Sequence, residues 1–401
     1  MPNANFDFAI IGGGLLGLAT AKALAEQDST LKICVLEKEQ ALAQHQSGRN
    51  SGVIHSGVYY QPGSFKQRLT AEGRAALFEF CDAEGVNYQR CGKLLVAQNE
   101  EELPRMRALA ENALKNGLQP EILDPAQIMK VEPQARGFGA IYLPEAAIVD
   151  YSLVAARLAA WLQRKGVAVK HQFRVENAAK SGASVKLKTY SEAIEAQFVI
   201  NCAGLHSDQV ARILGARPAG RIVPFRGQYF YLQGESKSLV RGLIYPLPDP
   251  RFPFLGVHLS RTISGEVIAG PNAVLSLKRE GYQSGAFSLS DAWGTFSYPG
   301  FWRFALNNFS LAASQYLRAW NRAAFSQALQ NLVPAVQRED LAPGRSGVRA
   351  QAMDTNGKLL KDFAFEESAS ALHVINAPSP GATASLAIGR HIAKRALAQS
   401  R

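Results

Sequence analysis

The sequence predicts an α/β protein of two domains, one built on parallel strands and discontinuous in the chain, the other on a mixed, largely antiparallel sheet with helices. A strand–glycine turn–helix unit opens the chain, and similar units recur near residue 200 and near the C-terminus. Residues 221–275 contain short apolar runs separated by Pro and Gly, which is the pattern of antiparallel strands. The 401 residues also exceed what one simple core usually holds.

The N-terminal unit carries a dinucleotide-binding fingerprint in the setting that it requires. A predicted strand at 6–11 is followed by three glycines, Gly12, Gly14 and Gly17. A helix follows them, and the next predicted strand ends at Glu37. Gly12 permits a tight turn, Gly14 lets the backbone approach a pyrophosphate, and Gly17 lets helix and strand pack closely. The helix N-terminus favours phosphate, and Glu37 can accept hydrogen bonds from a ribose, so the unit predicts a Rossmann-like domain.

Two later segments repeat this arrangement. A predicted buried strand at 197–202 enters Gly204, and a strand at 372–376 enters the turn 377–383 before a final helix. The backbone at the carboxyl end of each strand can face the same cofactor. The predicted boundaries are 1–90, 140–220 and 335–401 for the Rossmann-like domain, and 91–139 and 221–334 for the second domain.

The segment 45–60 is unusual for a loop. It is rich in Gly, Ser, His and Asn, yet it carries apolar residues at intervals. Small residues let the backbone approach a flat ligand closely. A flavin needs such a loop directly after Glu37, the predicted ribose-binding residue, because the flavin ring must be held on several sides. A nicotinamide does not need it. The sequence therefore favours FAD over NAD as the cofactor, although a tight structural loop is an alternative interpretation.

Charge and cysteine content limit the partners. The 44 basic and 33 acidic residues give a net charge of +11, which points to an acidic partner: an anionic substrate, an anionic membrane surface or nucleic acid. No basic stripe with interleaved aromatic residues is present, so we expect no nucleic-acid partner. The four cysteines lack CxxC or zinc spacing, which predicts no metal site and favours a reducing compartment. The N-terminus lacks the features of a signal or transit peptide, so we expect a cytoplasmic protein.

Residues 301–327 predict an amphipathic helix with large aromatic side chains on one face and arginines near the other. Trp302 and Trp320 belong to the apolar face, and Arg303 and Arg318 to the polar one. This pattern is typical of a helix that lies in a membrane interface. A helix packed on its own domain explains it equally well. The first interpretation predicts peripheral contact with an anionic membrane, at the inner face of the cell membrane.

Nine segments of the chain form recognisable motifs: 12–17, 45–60, 91–93, 224–227, 244–246, 254–258, 270–274, 347–351 and 376–380. Together they resemble the motifs of the L-2-hydroxyglutarate dehydrogenase/oxidase family, within the FAD-dependent D-amino-acid-oxidase-like superfamily. The resemblance covers nearly the whole chain and is weakest over 284–329. The early motifs are shared with the wider superfamily, whereas 45–60 and the motifs between 224 and 274 are narrower.

The resemblance implies a discontinuous FAD-binding Rossmann-like domain and a substrate domain. It also implies oxidation of L-2-hydroxyglutarate to 2-oxoglutarate, with electrons passed on to a membrane quinone or to dioxygen. Transferred by position, the expected contacts of the ADP half of FAD are Gly12, Gly14, Gly17, Glu37 and, through its backbone, Val175. The expected flavin contacts are Ser47, Asn50, Ser51, Gly52, Val53, Gly204, Pro380, Gly381, Ala382 and Thr383.

Oxidation of an alcohol requires a hydride acceptor and a base for the hydroxyl proton. The flavin accepts the hydride, and histidine is the usual base near neutral pH. His55 lies in the predicted flavin-facing loop and His258 in the predicted substrate domain. We predict both as catalytic residues and prefer His55 as the base. A structural histidine bonded to the backbone is the alternative for each.

A five-carbon diacid carries two carboxylates, and the planar guanidinium of arginine binds a carboxylate with two hydrogen bonds. Arg349 matches the superfamily position that often meets a substrate carboxylate, and Arg226 is the second candidate. Tyr60 and Tyr245 are predicted to add hydroxyl donors. An ion pair at the surface or between domains is the alternative for each arginine.

Two other functions compete with this one. An amine or amino-acid oxidase on the same fold is the nearest, because a fold does not determine its substrate. An FAD- and nucleic-acid-binding protein is the candidate from another class, and only the net charge suggests it.

Overall fold

The computed structural model of the chain describes residues 5–249, 256–308 and 322–400. The helices within these ranges are α1 (Leu15–Gln27), α2 (Phe65–Glu84), α3 (Leu103–Lys115), α4 (Pro125–Val131), α5 (Tyr151–Arg164), α6 (Ser207–Ile213), α7 (Leu289–Phe296), α8 (Pro299–Asn307), α9 (Arg322–Gln330) and α10 (Ser385–Gln399).

The strands of the same ranges form three sheets. They are β1 (Asn5–Ile11), β2 (Ile33–Leu36), β3 (Val53–Ile54), β4 (Tyr88–Arg90), β5 (Lys93–Ala97), β6 (Glu121–Leu123), β7 (Gly139–Leu143), β8 (Ala147–Val149), β9 (Ala168–Lys170), β10 (Asn177–Ser181), β11 (Ser184–Lys188), β12 (Ala193–Asn201), β13 (Gly220–Leu232), β14 (Leu243–Pro246), β15 (His258–Arg261), β16 (Val267–Gly270), β17 (Val274–Leu275), β18 (Leu341–Asp354), β19 (Ala364–Ser368) and β20 (Ala371–Asn376).

The first sheet is the Rossmann-like one. Its strands follow the order β10-β11-β12-β1-β2-β9, and β20 joins β12 while β19 joins β20. The pairs of β1 with β2 and β12, of β2 with β9 and of β12 with β20 are parallel. Because β1, β12 and β20 run in the same direction, their carboxyl ends, and the glycine turns that follow them, meet at one edge. The three strand–glycine–helix units predicted from sequence therefore converge.

Apolar residues cover both faces of this sheet. Along β1, Phe8 and Ile10 join a core with α1, α5 and α10, whereas Ala9 and Ile11 join a second core on the opposite face. This alternation explains why the strand is a continuous apolar run in the sequence. The sheet is thus buried on both sides, and its carboxyl edge is where polar backbone can meet a ligand.

The second sheet has nine strands in the order β17-β13-β16-β15-β14-β5-β7-β6, with β18 against β13. All its pairs are antiparallel except that of β14 with β5. The mixed, largely antiparallel sheet predicted for the second domain is therefore confirmed. The third sheet is small and contains three strands in the order β3-β8-β4.

The two large sheets are tied together by a buried ion pair. Arg279 lies after β17, and its Nη1 donates to Asp208 Oδ1 of α6 over 2.6 Å, while its Nη2 donates to Asp208 Oδ2 over 3.1 Å. Asp208 is 0% and Arg279 5% exposed. Removing one member of such a pair leaves an uncompensated buried charge, so the pair fixes one segment against the other.

The segment 301–327, predicted as a single helix, is interrupted soon after its start. Helix α8 ends at Asn307, and Asn308 has the non-helical φ of −126°. Residues 309–321, which include Trp320 and Arg318, lie outside the described ranges, and α9 covers the last part of the segment. The amphipathic pattern is therefore shared between separate helices in the described part.

Helices α7 and α8 present an exposed apolar surface. Its members, which we call the α7–α8 patch, are between 39% and 77% exposed: Leu289, Trp293, Phe296, Trp302 and Leu306. Isolated exposed apolar residues are normal, but neighbouring ones of this size mark an interaction surface. Within the described ranges, every helix is too short or too polar to cross a bilayer.

Candidate active site

One cavity of about 1070 Å³ runs along the carboxyl edge of the first sheet to the face of the second. Cavities of this size hold cofactor-sized ligands together with a small substrate. Of the predicted site residues, those that line it are Gly12, Gly14, Glu37, Ser47, Asn50, Ser51, Val53, His55, Tyr60, Val175, Gly204, Tyr245, His258, Arg349, Pro380, Gly381 and Ala382. The lining described for the cavity does not include Gly17, Gly52, Thr383 or Arg226.

The glycine turn after β1 has the geometry that its sequence predicts. Gly12 has a φ of +114°, and a Cβ there would lie 2.4 Å from the carbonyl oxygen of Cys202. A Cβ on Gly17 would lie 1.9 Å from the Gly12 carbonyl oxygen. Gly17 does not line the cavity because its function is the close contact of α1 with the turn. That contact brings the N-terminus of α1 to the cavity.

Glu37 stabilises this turn as well as lining the cavity. Its Oε2 accepts a hydrogen bond from Gly13 N over 2.8 Å, and its Oε1 accepts one from Glu39 N over 2.9 Å. The side chain is 6% exposed. Each carboxylate oxygen can accept a further bond, so a ribose contact remains compatible with these two.

The loop that precedes β3 is held by its own polar side chains. Ser47 Oγ accepts a hydrogen bond from Leu15 N at the start of α1, over 2.9 Å. Asn50 Nδ2 donates to the carbonyl oxygens of Gln46 and Ser47 over 3.1 and 2.7 Å, and Asn50 Oδ1 accepts from Gly52 N over 2.9 Å. The side chains of Ser47 and Asn50 thus shape the loop, and the backbone and small side chains form the cavity wall.

The C-terminal turn is anchored to the same loop by Thr383. Its Oγ1 accepts a hydrogen bond from His55 N over 3.1 Å and lies 3.0 Å from the Tyr151 hydroxyl. Thr383 is fully buried and does not line the cavity, so its described contacts are structural. The turn itself, with Pro380, Gly381 and Ala382, faces the cavity.

Two glycines of the cavity wall let the segments that form it pack closely against each other. A Cβ on Gly347 would lie 2.3 Å from the Arg49 carbonyl oxygen, and one on Gly14 would lie 2.9 Å from Ser47 Oγ. A glycine turn at a helix N-terminus suits a diphosphate at one end. The small-residue walls suit a ring system in the middle. The residues present therefore fit FAD.

The two predicted catalytic histidines both line the cavity, on different walls. His55 follows β3, is half-buried, and its Nε2 lies 3.4 Å from Ser379 Oγ of the C-terminal turn. His258 begins β15 and is 5% exposed. Its Nδ1 lies 2.8 Å from the Gly256 carbonyl oxygen, which can only accept. The Nδ1 of His258 therefore carries the proton, and in the neutral ring its Nε2 is an acceptor.

Both imidazoles are held neutral. Burial, followed by the positive charges of Lys93 and Lys66, lowers the pKa of His55 to about 3. Burial also lowers the pKa of His258 to about 3. Lys93, His55 and Arg349 lower this pKa further, and the hydrogen bond to Gly256 raises it by less than burial lowers it. Each ring therefore has an unprotonated nitrogen at neutral pH, which can accept a hydrogen bond from a hydroxyl group.

Of the predicted substrate-binding residues, Arg349, Tyr60 and Tyr245 reach the cavity. Arg349 lies on β18, half-buried, and burial lowers the pKa of its guanidinium from the ordinary value. The Tyr245 ring is stacked on the His258 ring with centroids 3.7 Å apart, and its hydroxyl lies 3.3 Å from Ser260 Oγ. Arg226, on β13 next to Val274 and Val348, is not in the described lining, and its proposed role stays a prediction.

Three residues at this end of the cavity were not predicted as site residues: Lys93, Tyr59 and Tyr229. Tyr59 and Tyr229 line the cavity. Lys93 begins β5 and is 2% exposed beneath the rings of Tyr59 and Tyr245. A signal for Lys93 exists in the sequence, because the period of two along β5 places it on the same face as buried Leu95. A lysine at such a position is unusual, because a buried ammonium needs a compensating partner.

A polar cluster lies near the opposite end of the cavity. Ligand atoms of Glu39, His45 and Glu280 lie within 4.8 Å of one another, a spacing compatible with a metal ion. The Lys38 ammonium bonds to both carboxylates, at 2.6 Å from Glu280. An ammonium thus supplies the positive charge there, and the prediction of no metal stays a prediction.

Comparison with known proteins identifies the family. The sequence profile described as FAD dependent oxidoreductase matches residues 7–395. The human mitochondrial L-2-hydroxyglutarate dehydrogenase is 44% identical over 408 residues, covering 97% of this chain and 88% of the human protein. The L-2-hydroxyglutarate dehydrogenase of Escherichia coli strain K12 is 42% identical over 392 residues, covering 97% of this chain and 93% of that protein.

This chain belongs to the FAD dependent oxidoreductase family and, within it, to the family of the L-2-hydroxyglutarate dehydrogenases. The resemblance predicted from motifs is confirmed, and so is FAD as the cofactor.

Solved structures agree with this fold. FAD-bound L-alpha-glycerophosphate oxidase from Mycoplasma pneumoniae superimposes with a TM-score of 0.80 at 22% identity, covering 98% of this chain and 95% of that one. Glycine oxidase from Geobacillus kaustophilus gives a TM-score of 0.71 at 16% identity, with coverage of 98% and 95%. The predicted α/β fold of the FAD dependent oxidoreductase family is therefore confirmed.

Glu37→Gln is expected to weaken FAD binding by about 10- to 100-fold, because one of the two backbone N–H donors would then face an amide NH₂. Titration of the apoprotein with FAD, followed by flavin fluorescence, measures the change. Glu192→Gln is the matched control, since Glu192 is an exposed carboxylate paired with Lys170. An unchanged affinity in Glu37→Gln would mean that the turn forms and binds FAD without this carboxylate.

Proposed function

We propose that this protein oxidises L-2-hydroxyglutarate to 2-oxoglutarate. The observation that carries the proposal is a single cavity that joins the dinucleotide turn to a wall with neutral histidines, tyrosines and Arg349. The relatives of 42–44% identity that share nearly the whole chain bear the name of this activity. Bound FAD supplies the acceptor for the hydride that leaves the hydroxyl-bearing carbon.

The protein's own residues bind the substrate and remove its proton. Arg349 receives one carboxylate, since its guanidinium reaches the cavity and stays charged. His55 accepts the hydroxyl proton, because it follows the flavin-facing loop directly and its ring is neutral. His258, with Nδ1 fixed on Gly256, is the second candidate for the base and otherwise orients the hydroxyl through Nε2. Tyr60 and Tyr245 contribute polar groups to the wall.

An amine or amino-acid oxidase is the second candidate. Glycine oxidase and L-proline dehydrogenase share this fold at 15–16% identity. Fold similarity at this level does not determine a substrate, and the distinction depends on the groups that meet the substrate.

We also propose that the reduced enzyme passes its electrons to a membrane quinone or to dioxygen, as a cytoplasmic protein held at the inner face of the cell membrane. The α7–α8 patch supports the membrane contact, because Trp, Phe and Leu side chains on adjacent helices suit the interface of a bilayer. The net charge of +11 favours an anionic surface. We expect no nucleic-acid partner.

Anaerobic titration of the FAD-loaded enzyme tests the substrate. L-2-hydroxyglutarate is expected to bleach the flavin absorbance at one equivalent, whereas its D-enantiomer, L-lactate and L-glutamate leave it unchanged at the same concentration. The physical reason is that the proposed base needs a hydroxyl proton, which L-glutamate lacks, that L-lactate lacks the second carboxylate, and that the D-enantiomer exchanges the positions of hydroxyl and hydrogen on the reacting carbon. Bleaching by L-glutamate in preference to the hydroxy acid would replace this proposal with that of an amino-acid oxidase.

His55→Gln is expected to lower kcat/KM for L-2-hydroxyglutarate by about 10²- to 10⁴-fold with FAD content unchanged, because the base is lost. His258→Gln is the comparison and is expected to lose less. In the wild-type enzyme, kcat/KM is expected not to fall between pH 7 and 5. The reason is that the depressed pKa of His55, about 3, keeps the imidazole unprotonated over this range. A decline with a midpoint near 6.5 would contradict the neutral state proposed for the base.

Replacement of Leu289 and Trp293 by Ser is expected to weaken binding to vesicles of equal parts phosphatidylglycerol and phosphatidylcholine by about tenfold or more, because exposed apolar area that would enter the interface is lost. Co-sedimentation at low salt measures it. Tyr190→Ser is the control, since Tyr190 is 94% exposed on a turn outside the α7–α8 patch. Equal binding of all three proteins would exclude the patch as the contact.

A further inference from the structure

Lys93 is a buried ammonium without a polar partner. The residue is 2% exposed, and its Nζ makes no hydrogen bond or ion pair with any residue of the described ranges 5–249, 256–308 and 322–400. Its described contacts are with aromatic faces: Nζ lies 3.7 Å from the ring centroid of Tyr245 and 4.8 Å from that of Tyr59. A charge in such a place is costly unless a partner compensates it, so its presence indicates a ligand of opposite charge.

The register of the second sheet places Lys93 directly behind the cavity wall formed by Tyr59 and Tyr245. Leu95 of β5 pairs with Tyr245 of β14, so Lys93, two residues earlier, lies on the same face as Tyr245. On its other edge, β14 pairs with β15, where Ile244 lies opposite Leu259. The next pair in this antiparallel register is Tyr245 with His258, so these two side chains share a face. Lys93, Tyr245 and His258 thus form a row across three adjacent strands, with the tyrosine ring between the ammonium and the imidazole.

Two cations therefore act on the same histidine. The charges of Lys93 and Arg349 both contribute to the low pKa of His258, and Lys93 contributes to that of His55. The ammonium lies behind the Tyr59 and Tyr245 rings, which line the cavity. The Tyr59 hydroxyl is buried and has no hydrogen-bond partner among the described residues. A carboxylate at this wall would meet a nearby positive charge and an unused donor.

Other cations near the substrate are less suited to this role. Arg226, like Lys93, is not in the described lining of the cavity, whereas the Lys93 ammonium lies directly behind two rings of that lining, those of Tyr59 and Tyr245. Lys66 lines it, but its Nζ already donates to the Lys361 carbonyl oxygen over 3.2 Å. Burial also lowers the pKa of Lys93 to about 7, so that an approaching anion would restore a full charge to it.

We infer that Lys93 is the second cation of the substrate site, which attracts the carboxylate that Arg349 does not hold and so selects dianionic 2-hydroxy acids over monoanionic ones. This inference rests on the proposed function, because it concerns the second carboxylate of the same substrate. It replaces Arg226 by Lys93 for that role.

Ligand binding to the FAD-loaded enzyme tests the inference without turnover. Glutarate and pentanoate have the same five carbons and no hydroxyl, and they differ by the second carboxylate. Their affinities are measured from the perturbation of the flavin absorbance. The wild-type enzyme is expected to prefer glutarate, and Lys93→Met is expected to lower the affinity for glutarate by about 10- to 100-fold while that for pentanoate stays within about twofold. Lys66→Met is the matched control and is expected to keep the preference.

Turnover gives the second comparison, between L-2-hydroxyglutarate and L-2-hydroxypentanoate. Lys93→Met is expected to lower kcat/KM for the diacid selectively. An equal loss with both substrates, or a preference for glutarate that disappears in Lys66→Met and persists in Lys93→Met, would overturn the inference. If glutarate selectivity depends on Lys93 but L-2-hydroxyglutarate does not reduce the flavin, the proposed function is refuted while the role of Lys93 in binding a second carboxylate stands.

The wild-type enzyme provides a test that needs no variant, in case Lys93→Met does not fold. The ratio of glutarate to pentanoate affinity is expected to fall as the pH rises from 6 to 9, because the ammonium of Lys93 loses its proton above a pKa of about 7. Four neighbouring groups do not titrate there: the pKa values of His55 and His258 are lowered to about 3, and those of Tyr59 and Tyr245 are raised by burial. Burial lowers the pKa of Lys66 to about 8, so the same pH series in Lys66→Met separates the effect of Lys93 from that of Lys66. Arg349 stays charged. A ratio independent of pH would contradict the inference.

Discussion

The structure depends on the contact between helix α1 and the glycine turn that precedes it. The hydrogen position of Gly17 faces the Gly12 carbonyl, where a Cβ would lie at 1.9 Å, so no other residue permits this approach without a shift of the backbone. The contact places the start of α1 beside β12 and the loop after β2. Ser47 then bonds to the first turn of α1, and Glu37 bonds to Gly13. The cofactor end of the cavity is therefore determined by backbone packing before any ligand is present.

The substrate end is determined differently, by long-range strand pairing. Strand β14 lies between β5 and β15, although about 150 residues of sequence separate β5 from its partner. This order brings Lys93, Tyr245 and His258 side by side, and β18 adds Arg349 against β13. The buried pair of Arg279 and Asp208 then ties α6, on the first sheet, to the segment after β17. Lys93, Tyr245, His258 and Arg349 thus lie on strands of one sheet, whereas His55 lies in the loop after β3.

The electrostatics of the site follow from this enclosure. Positive side chains surround two histidines in a wall with little access to water, and the imidazoles remain neutral as a result. A dianionic substrate would be attracted by the same charges that keep the base unprotonated. In the proposed function, one set of residues would therefore serve both binding and proton transfer, and FAD would supply the redox chemistry.

The family, the cofactor and the glycine turn could be predicted from the amino-acid sequence, and most of the predicted site residues do line the cavity. These features depend on local patterns: glycines at fixed spacing, small-residue loops and apolar strands. The same patterns predicted Glu37 at the end of its strand and His55 in the loop that follows. The folded structure was needed to show that Thr383 anchors the loop, that Arg226 is absent from the described lining, and that α8 ends before residue 309. It also revealed Lys93 beneath two tyrosines, since the partners of a buried charge come from strands far apart in the chain and no local pattern specifies their register.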